Sequence, residues 1–164
     1  MITTEFTDSQ GVVIVYDVYS VPNPRAVVQI MHGLGDHAGR YAHVAAALNS
    51  AGYSAYVPDQ RGHGRTGVKQ FGGDLSKLGK LGPGGFRAAV ADFTELTNII
   101  RAENPGVPIV LLGHSMGSLM GQVLINEHAA DYAAVVFSGS AYRQPGSMNA
   151  GKLNKRFDAP GCTG

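Results

Sequence analysis

An apolar run, Val110-Leu111-Leu112, ends in Gly113-His114-Ser115-Met116-Gly117, and a helical pattern starts at once. Gly-x-Ser-x-Gly between a buried-type strand and a helix describes a sharp turn that lifts one serine hydroxyl above the end of a parallel sheet. So tight a turn leaves no space for a Cβ at positions 113 and 117, which is the steric reason for glycine at both. Parallel strands need long crossover connections, usually helices, so this stretch commits the chain to an α/β architecture. Ser115 stands at a helix N-terminus, where free N–H groups and the positive dipole end favour developing negative charge. It is the expected catalytic residue.

The remaining pattern fits that frame. Residues 2 to 7 and 11 to 19 are β-branched and aromatic, and Asp8-Ser9-Gln10-Gly11 between them predicts a hairpin. Residues 26 to 31 read as a more buried strand. Tyr41, Val44, Ala45 and Leu48 mark a helix that Gly52 stops, and Tyr53 to Val57 is the next strand. Strand, loop, helix, strand is one βαβ unit with a right-handed crossover. Residues 60 to 85 hold many glycines and no periodicity, so a long functional loop is expected there. Phe86, Val90, Phe93, Leu96 and Ile100 mark a second helix. A strand opened by Pro108 leads to Ser115, and the helix after Ser115 runs to about His128. Ala133 to Phe137 reads as a central strand buried on both faces. The fold class is a mainly parallel α/β sheet with helices on both faces. Residues 1–142 form its core, and 143–164 begin a lid or a linker, with a pattern compatible with a short helix around 148–157.

Composition removes several function classes. The chain has 164 residues, 44% hydrophobic and 15% charged, enough for one domain with a proper core. A net charge of +1 without a long basic run gives no reason to expect a nucleic-acid partner. The N-terminus lacks the basic and apolar regions of a signal peptide, and no apolar run approaches the ~20 residues of a bilayer span. Cys162 is the single cysteine, which rules out an internal disulfide and fits a reducing, cytoplasmic setting. The 23 glycines have no three-residue period, so they serve tight turns.

Acyl transfer by a serine needs two hydrogen-bond donors aimed at the oxyanion. One is the backbone N–H after the nucleophile, here Met116. The second comes from the loop after an earlier strand, and Leu34 in His32-Gly33-Leu34-Gly35 is the expected donor. Because the donors are backbone groups, both side chains are expected to be free to line an acyl pocket. Three motifs carry a resemblance: His-Gly-Leu-Gly-Asp-His-Ala-Gly-Arg-Tyr (32 to 41), Asp-Gln-Arg-Gly-His-Gly (59 to 64) and Gly-His-Ser-Met-Gly (113 to 117). Together they resemble the α/β-hydrolases, and more narrowly the monoacylglycerol lipase and lysophospholipase branch. The resemblance implies cleavage of an acyl ester of glycerol or a glycerophospholipid by Ser, Asp and His, with neither metal nor cofactor. It also sets Asp36 and Arg40 near a polar head group; a salt bridge holding the helix start is the alternative for both. Peripheral contact with membranes follows from such a substrate.

The chain departs from the family pattern after Ser115. Nucleophile, acid and then histidine is the family order, yet the only later acids are Glu127, Asp131 and Asp158, and the only later histidine is His128. At ~1.5 Å per helical residue His128 lies about 20 Å from Ser115, too far to take its proton. The expectation is therefore that a second polypeptide segment supplies the Asp, the His and the remaining sheet edge, and that the chain alone is inactive. A non-catalytic scaffold is one alternative. A dinucleotide-binding domain is another, on Gly33-x-Gly35-x-x-Ala38 and Asp59. Against it, Asp36 would set a carboxylate on the pyrophosphate. Gly62-x-Gly64-x-x-Gly67 reads as loop. A metal site on His32, His37 and His43 lacks the spacing of helical zinc ligands. His63 and His114 read as packed or hydrogen-bonded loop histidines.

Overall fold

The first two β-rich runs pair as the expected hairpin. In the computed structural model, which describes residues 1–141, β1 (Ile2–Thr7) and β2 (Val13–Tyr19) are antiparallel from Ile2↔Val18 to Thr7↔Val13. Asp8 closes the turn, its Oδ1 accepting from the amides of Gln10 and Val12 at 2.8 Å each. Next come β3 (Val27–Met31), a 3-10 turn (Ala38–Tyr41), α1 (Ala42–Ser50) and β4 (Ser54–Pro58), with β3 and β4 parallel. α2 (Gly64–Gln70), a 3-10 turn (Leu75–Lys77) and α3 (Gly85–Glu103) fill the stretch before β5 (Ile109–His114). α4 (Met116–His128) and β6 (Ala134–Ser138) follow. The six strands lie in the order β1-β2-β4-β3-β5-β6. β3 to β6 are mutually parallel, and the hairpin joins antiparallel through β2 and β4.

Period-two alternation sorts the central strands between two cores. Val28 and Ile30 of β3 and Val110 and Leu112 of β5 face α1, packing with Ala38, Tyr41 and Ala45. Met31 and Leu111 face the other way, against Phe86, Ala89, Val90 and Phe93 of α3 and Met116, Met120 and Leu124 of α4. Helices therefore cover both faces, and the strand ends that carry Met31, Pro58 and His114 emerge on one side.

One expectation is corrected. Residues 60 to 85 are not a structureless loop: α2 and a 3-10 turn lie inside them, and Gly64 opens α2 where Gly62-x-Gly64-x-x-Gly67 read as loop. α2 buries only Thr66 and Gly67, so no apolar stripe announced it. Buried charge orders this stretch instead. The Ala133–Phe137 strand, whose composition is that of a central strand, is the sheet edge among the described residues. β6 pairs in register with β5 from Val110↔Ala134 to His114↔Ser138, yet Val135 and Val136 are 38% and 50% exposed. Residues 143–164, including Cys162 and the short helix at 148–157, lie outside the described residues.

The buried charge belongs to Arg61, whose side chain is fully enclosed. Its guanidinium pairs with Asp8 of the hairpin turn, donates to Asp92 of α3 at 2.7 Å and to the Pro83 carbonyl at 2.8 Å. One cation thus joins the hairpin, the 60–85 stretch and α3. Burial pushes the Asp92 carboxyl up to about 7, with Asp8 opposing the relief that Arg61 offers. Asp8 goes the other way: burial alone would raise it, but the Val12 and Gln10 amides and Arg61 hold it below its ordinary value. A folded-state value raised above the ordinary 3.8 means that stability is lost as pH rises from there through about 7. Asn at position 92 cannot ionise. Urea titrations should therefore show Asp92→Asn gaining on the parent as pH climbs from about 4 to about 8.

Candidate active site

The glycines on either side of Ser115 are fixed by backbone contacts. A Cβ at Gly117 would stand 2.1 Å from the Met31 carbonyl oxygen and 2.7 Å from that of His32. One at Gly113 would meet the Gly117 carbonyl oxygen at 2.8 Å. With β3, β5 and the first turn of α4 this close, the chain reverses through Ser115 at φ 50 and ψ −114. Among the described non-glycine residues only Asn23 shares a positive φ, a conformation that costs of order 1–3 kcal/mol. Several bonds hold it. The Ser115 N–H donates to Ser138 O of β6 at 2.9 Å, and its carbonyl accepts from the Ser118 hydroxyl at 2.6 Å and the Ser118 amide at 3.0 Å. The Ser115 side chain makes no capping bond to α4 and is exposed.

The loop after β3 lies against this serine. A Cβ built on Gly33 would come 3.4 Å from Ser115 Cβ and from His114 Cδ2. Leu34, next in line, is 42% exposed. Met116 opens α4, and the first amides of a helix have no intrahelical acceptor, so its N–H is a free donor by position. The Met116 side chain corrects an expectation: it is buried in the α3–α4 core and cannot line a pocket. The first turn of α4 faces the sheet, which directs that side chain inward. Asp36 and Arg40 pair at 3.3 Å, and Asp36 Oδ1 also accepts from the His37 amide at 3.0 Å. Burial, then the charge and hydrogen bond of Asp36, push the Tyr41 hydroxyl up to about 12, so it stays protonated beside that carboxylate.

The remaining candidates are committed elsewhere. His32 is buried, with Nδ1 2.8 Å from Gly33 O and Nε2 3.0 Å from the Gln60 amide. That leaves neither ring nitrogen for a metal shared with His37 and His43. His63 is buried against the His32 ring, and Nδ1 of exposed His114 lies 3.3 Å from Ser138 Oγ. His128 ends α4 beside Asp131 at 3.6 Å. Asp59 Oδ1 accepts from the Ala38 amide at 2.7 Å, and its Oδ2 accepts from the Arg65 amide and Nε at 3.0 and 2.6 Å. The Gly33-x-Gly35-x-x-Ala38 loop therefore opens a 3-10 turn whose amide is already bonded to the very acid a ribose would need. Residues with no role assigned from sequence are Ser118, Ser138 and Gln60. Ser118 was findable as a hydroxyl three positions into the helix, and Gln60 from its place in the 59–64 motif; Ser138 carried no signal.

A left-handed serine between a parallel strand and a helix, faced by a glycine loop from the neighbouring strand, is the arrangement of an α/β-hydrolase. Residues 22–158 match the family described as serine aminopeptidase, S33, and the chain belongs to it. It is similar to a monoacylglycerol lipase of Mycolicibacterium smegmatis, 40% identical over 138 residues that cover 83% of this chain and 45% of that one. The human monoglyceride lipase is 29% identical over 114 residues, 69% of this chain and 34% of that one. Among solved structures, a thermostable carboxyl esterase from Bacillus coagulans in complex with glycerol superposes with a TM-score of 0.78 at 30% identity, covering 92% of this chain and 47% of that one. The monoacylglycerol lipase of Paleococcus ferrophilus gives 0.63 at 25% identity, covering 85% and 48%. The chain thus spans less than half the length of each of these relatives.

The glycine contacts yield a contrast in stability. Gly117→Ala drives a methyl into two backbone carbonyls that cannot yield, and should cost about 2–3 kcal/mol by urea unfolding. Gly33→Ala makes only ordinary contacts and should cost less than about 1 kcal/mol.

Proposed function

We propose that Ser115 is the nucleophile of a carboxylic ester hydrolase whose substrates are monoacylglycerols or lysophospholipids. The carrying observation is an exposed serine in left-handed backbone at the head of α4, with Gly33 packed beside it. Its hydroxyl oxygen attacks the ester carbonyl, and the negative charge that develops on the carbonyl oxygen is accepted by the N–H groups of Met116 and Leu34. Collapse of that intermediate expels the alcohol and leaves an acyl group on Ser115, which water then removes. Strained backbone keeps the hydroxyl raised, and the bonds from Ser118 and to Ser138 keep the strain in place.

The proton acceptor and its carboxylate partner come from a segment other than residues 1–141, in which His32 and His63 are buried between loops and His128 ends α4 beside Asp131. Arg40 keeps most of its side chain in solvent while paired with Asp36, which suits a hydrogen bond to a polar head group. Exposed Leu34 offers an apolar surface for the acyl chain. The family resemblance and the lipase names of the relatives support the lipid-ester class. No described helix is long and apolar enough to cross a membrane. A cytoplasmic site of action accords with the lone cysteine.

Two measurements test this. Ser115→Ala should lower hydrolysis of monoacylglycerol by about 10⁴-fold or more without changing the unfolding midpoint; retained activity would overturn the assignment. A fluorophosphonate probe should label Ser115 only slowly in the isolated 164-residue chain, because no base among the described residues is bonded to its hydroxyl. Rapid labelling of that chain would reject an external base while leaving the nucleophile intact.

A further inference from the structure

His32 lies at the end of β3 with no exposed surface, and its ring is bonded at both nitrogens with opposite polarity. The Gln60 amide can only donate, so Nε2, 3.0 Å away, carries no proton. The proton is therefore on Nδ1, and Nδ1 donates to the Gly33 carbonyl at 2.8 Å. That carbonyl also takes the Asp36 amide at 3.3 Å, while the Gln60 carboxamide donates to the His32 carbonyl at 2.7 Å. Burial, aided by the neighbouring His63 ring, depresses the His32 imidazole to about 4 and keeps it neutral.

This arrangement dictates where the next amide points. No peptide bond among the described residues is cis, and across a trans peptide the carbonyl and the following N–H point in opposite directions. Drawing the Gly33 oxygen toward the enclosed ring turns the Leu34 N–H away from that ring, and the peptide so turned belongs to the loop in which Leu34 is exposed and Gly33 lies against Ser115. We propose that His32 is a positioning residue: its Nδ1–H, oriented by the Gln60 amide, fixes the Gly33–Leu34 peptide so that the Leu34 N–H faces the oxygen of the ester attacked by Ser115. This rests on the reading of Ser115 as the nucleophile. A ring present only to fill space would need shape alone, and phenylalanine would serve. The observed ring links the loop after β4 to the loop after β3 through two bonds whose directions are not interchangeable.

The test has a spectroscopic and a kinetic arm. Long-range ¹H–¹⁵N spectra of the 164-residue chain should show His32 protonated at Nδ1 and bare at Nε2, unchanged between about pH 8 and about pH 5. A proton on Nε2 would overturn the proposal. In the active protein, His32→Phe should lower kcat about 100-fold with KM within about twofold, the size expected of a misplaced catalytic group. His32→Asn, which restores a donor near the Nδ1 position, should regain about tenfold of that loss. Phe and Asn variants with equal kcat, or a loss confined to KM, would reduce His32 to a structural role. If Ser115→Ala is inactive and His32→Phe retains kcat, only the positioning role falls. If Ser115→Ala retains hydrolysis, both readings fall together. Should the Phe variant unfold, the ring spectrum of the parent chain and the kcat of the Asn variant decide the matter, and an Asn variant more than about 100-fold down would count against it.

Discussion

The contact that the rest of the molecule obeys is steric: the first turn of α4 runs so close to the end of β3 that Gly117 has no room for a methyl group. Backbone against backbone, with the Met31 carbonyl where a side chain would be, fixes the distance between the helix and the sheet. Once that distance is set, the chain between β5 and α4 has only one short way round, and Ser115 takes the left-handed conformation that completes it. The cost of this conformation is met locally by the bonds from Ser118 and to Ser138, and globally by the apolar face of α4 in the α3–α4 core. A loosely packed core could not hold a serine in that geometry, because the helix would retreat and the turn would relax.

A second layer of order comes from charges and polar groups withdrawn from water. Arg61 joins the hairpin turn to α3, and Asp59 joins the 3-10 turn before α1 to the start of α2. Such groups are costly to bury and costly to leave unpaired, so each arrangement admits few alternatives. The result is that the loops after β3 and β4 are cross-braced to each other, to the hairpin turn and to α3 without sharing an apolar core of their own. Sequence neighbours within the 59–65 stretch take opposite directions: Asp59 toward the 3-10 turn, Arg61 toward the hairpin, His63 toward His32.

Elements with a periodic apolar face were legible from the residues. The hairpin, the βαβ unit and α3 follow alternation or a 3.6-residue stripe, and the sheet has the mainly parallel character that the pattern implied. α2 was not legible, because Arg61, Asp59 and glycines at positive φ order it rather than an amphipathic stripe. The turn at Ser115 could be read from Gly113 and Gly117, since the reason for glycine there is local crowding. The inward path of the Met116 side chain could not, because it depends on how far α4 has rotated against the sheet. His32 read as part of a loop; the Gln60 amide that orients it is a long-range partner, and only the fold brings residues 28 apart in sequence into contact.

The bond from the Ser115 amide to Ser138 makes the serine the last rung of the ladder between β5 and β6. β6 is an edge among the described residues, with its valines open to solvent. Edge ladders fray first. Any breathing of that margin is transmitted within one hydrogen bond to the strained residue, so the poise of the hydroxyl is coupled to how firmly the sheet is closed on its β6 side.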